Sequence, residues 1–193
     1  MPGFFVKSNF FCLFKTGDNV NYNLEILKCF YEIYNKTNDS EKLVLIKPII
    51  VWLVSIVEAI LHDFHKRIRA NIHEGIINMS QGVIDYVRNK KIDELEKYIN
   101  SAKKHDFFDL KDTNFYIKLD DLRKIRNRIH IQNNKFLKPR DERTIFDEKV
   151  KVLAEKCTEK VVKTISEKHP RPKNLKDYVS DMYFPWNEYF PKK

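Results

Sequence analysis

Between Ile49 and Val57 the sequence is apolar at almost every position. A helix that is hydrophobic on all sides has to be surrounded by other elements. The wider stretch from Leu43 to Leu61 is interrupted by Lys47, Pro48 and Glu58, whereas a membrane span needs roughly 18–20 residues with few or no charges. The segment is therefore expected to be the central helix of a bundle, with no membrane partner. Ser40 is the expected cap, the helix runs to about Ala70, and Pro48 either kinks it or opens its main part.

The helices that would surround it follow from apolar spacing. Leu24, Leu27, Tyr31 and Tyr34 predict a helix over 20–36, ended by the polar run 35–39. Ile76, Met79, Val83 and Val87 predict a third, weakened by Gly82. Ile92, Leu95, Ile99 and Ala102 predict a fourth, and Leu119, Leu122, Ile125 and Ile129 a fifth. The sixth, with Val150, Leu153, Ala154, Cys157, Val161 and Ile165, is the most regular and stops at His169-Pro170-Arg171-Pro172. Residues 4–14 are readable as strand or helix, and no run of alternating strands stands out elsewhere. The expected class is all-α, a bundle of five to six helices. It divides into an N-terminal segment 1–19, a bundle 20–167 and an aromatic extension 168–193. With Tyr178, Tyr183, Phe184, Trp186, Tyr189 and Phe190, that extension is too aromatic to be a free tail.

Several function classes are disfavoured. Of 193 residues only four are Gly, and neither GxGxxG nor GxxxxGK[ST] occurs, so phosphate-wrapping loops are not expected. Three distant cysteines, Cys12, Cys29 and Cys157, suit neither a disulfide framework nor a four-Cys zinc site, and they read as reduced and intracellular. Phe10–Phe14 has no cationic stretch before it and no cleavage site after it, so a signal peptide is not expected. His62 and His65, with Asp63 and Glu58 nearby, lack the spacing of a recognised metal motif. No metal and no cofactor are expected. His105 and His169 sit at helix ends, where His commonly complements the helix dipole. The net charge of +9 favours polyanions.

One segment concentrates chemistry. Placing Leu122–His130 on a helix at about 100° per residue puts Ile125 and Ile129 on the face of Leu122 and Leu119. On the same wheel Arg126, His130, Arg123 and Asn127 follow at about 40°, 80°, 100° and 140°, a single stripe along the edge of the core face. Lys124 and Arg128 fall on the exposed side. A charge tucked beside an apolar face needs a partner, an interface or a ligand, and Glu58 is the candidate to neutralise Arg123 or Arg126 and to hold it in position. Metal-free RNA cleavage uses these groups. An Arg stabilises the charged phosphorane-like transition state, a His moves the proton of the 2′-hydroxyl or of the leaving oxygen, and an Asn orients either.

The arrangement resembles the HEPN superfamily over about residues 40–167: small all-α bundles with an Arg-(x)4–6-His motif, typically with Arg-Asn at its start, on a late helix. Arg126-Asn127 and His130 carry the likeness, together with Glu58 inside the apolar helix. Arg123 lies six intervening residues from His130, inside the family range; Arg126 lies three away, one short of it. The same bare pattern recurs at Arg67, Arg69 and His73, and context favours the later copy. The resemblance implies a cytoplasmic homodimer with a composite site of His130, Arg123, Arg126 and Asn127, cleaving RNA as a toxin or phage-defence effector. A cognate antitoxin or regulatory protein would be a further partner. From Lys118 to Arg143 there are nine cationic and four anionic residues, and Lys124, Arg128, Lys135, Lys138 and Arg140 are the candidates to follow an RNA backbone. The alternative is a non-catalytic module of the same kind that binds RNA, a nucleotide or a partner protein.

Overall fold

A computed structural model describes residues 3–70, 76–108, 113–129, 141–172 and 179–191. The apolar segment forms the central helix α2 (Asp39–Ala70), which is contacted by α1 (Phe14–Lys36), α3 (Gln81–Asn89), α4 (Leu95–Lys104), α5 (Thr113–Arg126) and α7 (Glu148–Lys168). Ile49, Leu53, Ile60, Leu61 and Ile68 of α2 are completely shielded from solvent. By length and composition α2 would also be long and apolar enough to cross a membrane, but here its apolar positions from Ile46 to Ile68 are buried or half-buried among other helices, while Leu43 and Val44 are exposed. Pro48 lies inside α2 without ending it. The cap is Asn38 rather than Ser40: its Oδ1 accepts from the Glu41 amide at 3.1 Å and from the Ser40 hydroxyl at 2.6 Å, the geometry of an Asx cap.

The all-α reading holds, with local differences. Helix α1 starts at Phe14, six residues before the apolar period becomes visible. The buried Asp63 carboxylate of α2 accepts the Cys12 and Leu13 amides at 2.8 and 3.0 Å, satisfying donors at the helix entrance from another element. In the third segment, Ile76 and Met79 precede α3, which begins only after Ser80. A short α6 (Glu142–Ile145), capped by Asp141, was not expected from the periodicity. It is tied to α2 by Lys47, which meets Glu142 at 2.6 Å.

A two-stranded antiparallel sheet joins the chain ends: β1 (Phe4–Val6) pairs with β2 (Met182–Phe184), Phe4 opposite Phe184. The ambiguous N-terminal run is thus strand at 4–6, and 182–184 is a strand that three residues of alternation could not announce. The aromatic extension packs on the bundle. Trp186 lies against Phe4, Phe184 and Tyr31, with ring centroids 5.2 to 5.9 Å apart. Beneath it, α7 carries buried charges. Lys163 binds Glu159 at 2.7 Å, Glu188, and the Phe190 carbonyl at 2.5 Å. Glu159 in turn accepts the Tyr189 and Phe190 amides.

Candidate functional site

Helix α5 buries Tyr116, Leu119 and Leu122, which turns its last turn to the rim of the bundle. There the Arg126 guanidinium donates to Glu58 of α2 at 2.5 Å. Both are half-buried, with side-chain exposures of 21% and 34%. Glu58 therefore neutralises Arg126, not Arg123. A guanidinium has five N–H donors, and the Arg126 Nε is buried with no hydrogen-bond partner. The residue is thus oriented by a carboxylate, and its side chain is partly open to solvent although its Nε is not.

Arg123 is held differently. Its Nε meets Asp120 at 2.7 Å, and another of its nitrogens meets Glu96 of α4 at 3.2 Å. Lys124 shares Asp120 at 2.8 Å and reaches Asp121 at 3.4 Å. Burial alone would raise the Asp120 carboxyl, but hydrogen bonds from Lys124 and Arg123 outweigh it and hold the group below the usual carboxylate range. The two arginines of the predicted stripe thus diverge, Arg126 toward α2 and Arg123 toward α4. Lys124 is exposed, as expected from the wheel.

The wheel fails after Arg126. The α-helix ends there, and Asn127–Ile129 form a single 3-10 turn. Three residues per turn instead of 3.6 rotates each following position off the α-helical stripe. Ile129, expected on the core face, is 45% exposed. Arg128, expected on the solvated face, is half-buried, and its Nε has no hydrogen-bond partner. Asn127 is half-buried at the start of the turn. His130, Lys135, Lys138 and Arg140 lie outside the described residues, as does His73.

Of the two arginines in the rival copy of the motif, Arg69 is exposed and Arg67 is committed elsewhere. Arg67 is fully buried, and its guanidinium donates to the carbonyls of His169 at 2.5 Å and Pro170 at 3.0 Å. It anchors the end of α7. The helix-end histidines are structural in a way other than expected. His169 is buried, with its Nδ1 2.9 Å from the Ile77 carbonyl oxygen. Burial pushes the imidazoles of both His105 and His169 below their ordinary value, which favours neutral rings over charged dipole partners. Asp63 is taken up by the entrance of α1. Among the described residues no three His, Cys, Asp or Glu side chains converge on a point that would hold a metal ion.

Two contacts at this rim are invisible to helical periodicity because they join separate helices. One is Glu96 to Arg123. The other is Tyr98 of α4, whose hydroxyl lies 2.8 Å from His62 Nδ1 on α2. Burial first, and then the nearby carboxylates of Asp93 and Glu58, push the Tyr98 phenol up, so it stays protonated. Tyr98 thus lies within the electrostatic reach of Glu58. Compared with family models, with curated proteins and with solved structures, the chain matches none.

Proposed function

We propose that this protein is a metal-independent RNA endonuclease of HEPN type, a toxin or phage-defence effector acting in the cytoplasm as a homodimer. The observation that supports this most is the Arg126–Glu58 pair. It holds an arginine at the rim of an all-α bundle, partly open to solvent, four residues before a histidine. Arg126 would bind the scissile phosphate and stabilise its developing charge. The substrate's own 2′-hydroxyl attacks phosphorus, the bond to the 5′-oxygen breaks, and a 2′,3′-cyclic phosphate remains. His130 of one copy takes the hydroxyl proton, and His130 of the other supplies one to the leaving oxygen. Glu58 keeps Arg126 in place, Arg123 braces α5 against α4 beside it, and Asn127 orients a reacting group. Exposed Ile129 beside the site is apolar surface that a second copy would cover.

Lys124 and Arg128 flank the site, and Lys135, Lys138 and Arg140 continue the basic run along the RNA backbone, independent of sequence. The test is single-turnover cleavage of a labelled RNA. His130→Ala should slow it by about two to four orders of magnitude, the usual contribution of a general acid or base. Cleavage by that variant at the wild-type rate would contradict the proposal. Binding of RNA by a purified dimer that cuts nothing would favour the non-catalytic module, since Arg126 lies closer to His130 than the family spacing.

A further inference from the structure

The stripe of α2 that carries Glu58 continues past it. At about 100° and 1.5 Å per residue, His62, Lys66 and Arg69 stay within about 80° of Glu58 and lie about 6, 12 and 16 Å farther along the helix. Together with His65, Ile92 and Tyr98 they line a pocket of about 360 Å³ between α2 and the start of α4. Neither Lys66 nor Arg69 has a carboxylate partner among the described residues. Asp93, the one acid on the pocket wall, is already engaged by Lys97 at 2.6 Å and Lys91 at 3.4 Å. The Tyr98 hydroxyl lies 2.8 Å from Nδ1 of the exposed His62; in the tautomer that accepts this hydroxyl, the ring proton sits on Nε2 at the free edge. Beneath them His65 is 1% exposed, its Nδ1 is 2.7 Å from the Leu61 carbonyl oxygen, and its Nε2 has no hydrogen-bond partner.

We infer that this pocket is a phosphate-binding subsite for single-stranded RNA, with Lys66, Arg69 and the Nε2–H of His62 as its donors. Two cations without acidic partners, a hydrogen-bond donor fixed by a neighbouring phenol and an apolar floor suit a phosphodiester with its sugar. The subsite begins one helical turn beyond Glu58, so one strand can lie in it and reach Arg126. That last link rests on the proposed nuclease reading; the anion site itself does not. The pocket would add affinity and register without taking part in bond breaking, because phosphate contacts position a strand.

Two measurements on the full-length protein separate the possibilities. In the first, inorganic phosphate is titrated while the His62 ring resonances, assigned by their loss in His62→Gln, are followed by NMR. They should shift in the wild type and stay still in Lys66→Ala/Arg69→Ala. No shift in the wild type, or the same shift in the variant, overturns the subsite. In the second, binding of an uncleavable 2′-O-methyl oligonucleotide is measured against salt. The double variant should bind about tenfold more weakly, and its salt slope should flatten by about 1.4, two phosphate contacts at about 0.7 each. Unchanged affinity and slope overturn the subsite even if the protein cuts RNA. Loss of both in the variant, with no cutting by the wild type, upholds the subsite and removes the nuclease reading instead.

Discussion

Arg126 and Arg123 are three residues apart on one helix, yet the structure gives them separate partners, and this sets different expectations for each. Arg123 is bound by Asp120 and Glu96, so Arg123→Ala should loosen the packing of α5 on α4 and lower cleavage modestly. Arg126→Ala removes the group assigned to the phosphate, and single-turnover assays should show the larger loss there. A result in which only Arg123→Ala reduces cleavage would reverse the assignment. The Glu58–Arg126 pair is partly exposed, so a double-mutant cycle on unfolding should give a coupling of only about 1 kcal/mol. His65 is a different kind of residue. Burial pushes its imidazole down to about 4, whereas an unfolded imidazole titrates near roughly 6.5. Below that value the unfolded chain gains a proton that the folded chain refuses. Its contribution is therefore intact above about pH 6.5 and is lost as the pH falls toward 4, on the order of 2 kcal/mol by about pH 5. Denaturant unfolding of the wild type and His65→Leu at pH 7.5 and 5 should show that the variant loses less stability on acidification. An equal loss in both would contradict this.

Elements differed in how plainly the sequence announced them. The central helix and α7 were readable because long apolar periods leave few alternatives. Elements set by contacts from elsewhere in the chain were not. The start of α1 depends on Asp63, fifty residues away in sequence, and β2 exists because β1 lies beside it. The end of α5 was misplaced for a local reason: Asn127–Ile129 tightens into a 3-10 turn although Ile129 keeps the α-helical period. The stripe was therefore legible as far as Arg126, and Glu58 was expected to pair with Arg123 or Arg126, of which it meets Arg126. The bonds from Glu96 and Tyr98 of α4 required the helices to be placed in space. Helix α7 also shows how the chain's end is fixed. Glu159 is completely buried, pairs with Lys163 and accepts two amides of the C-terminal extension. Glu159→Ala strips a buried ammonium of one partner, and a loss of about 3–5 kcal/mol is expected, with faster hydrogen exchange at Tyr189 and Phe190. Unchanged exchange there would show that the aromatic packing of Trp186 alone holds the segment. A smaller test lies at Gly17 of α1. A Cβ added there would stand 2.6 Å from the nearest Val179 side-chain atom, so Gly17→Ala should destabilise despite its better helix propensity.

At the scale of the whole molecule, one copy supplies one Arg126 and one His130, and a two-step proton transfer at one phosphate wants two proton carriers. A symmetric dimer about the end of α5 would provide them, because a two-fold interface presents the same patch twice. Light scattering should give the mass of a dimer at high micromolar concentration; a strict monomer would remove the composite site. His73→Ala should leave RNA cleavage intact, since of that copy's two arginines Arg67 is locked onto backbone carbonyls and Arg69 has, among the described residues, no carboxylate to hold it as Glu58 holds Arg126. The central claim, cleavage by the substrate's own 2′-hydroxyl, is tested most directly by one substrate pair. An RNA, and the same RNA carrying a single 2′-deoxy sugar at the scissile position, are incubated with wild-type protein in EDTA under single-turnover conditions. Attack by the 2′-hydroxyl predicts that the RNA is cut to a 2′,3′-cyclic phosphate and that the deoxy substrate remains intact at that position. Equal cutting of both, or loss of all cutting in EDTA, would contradict it.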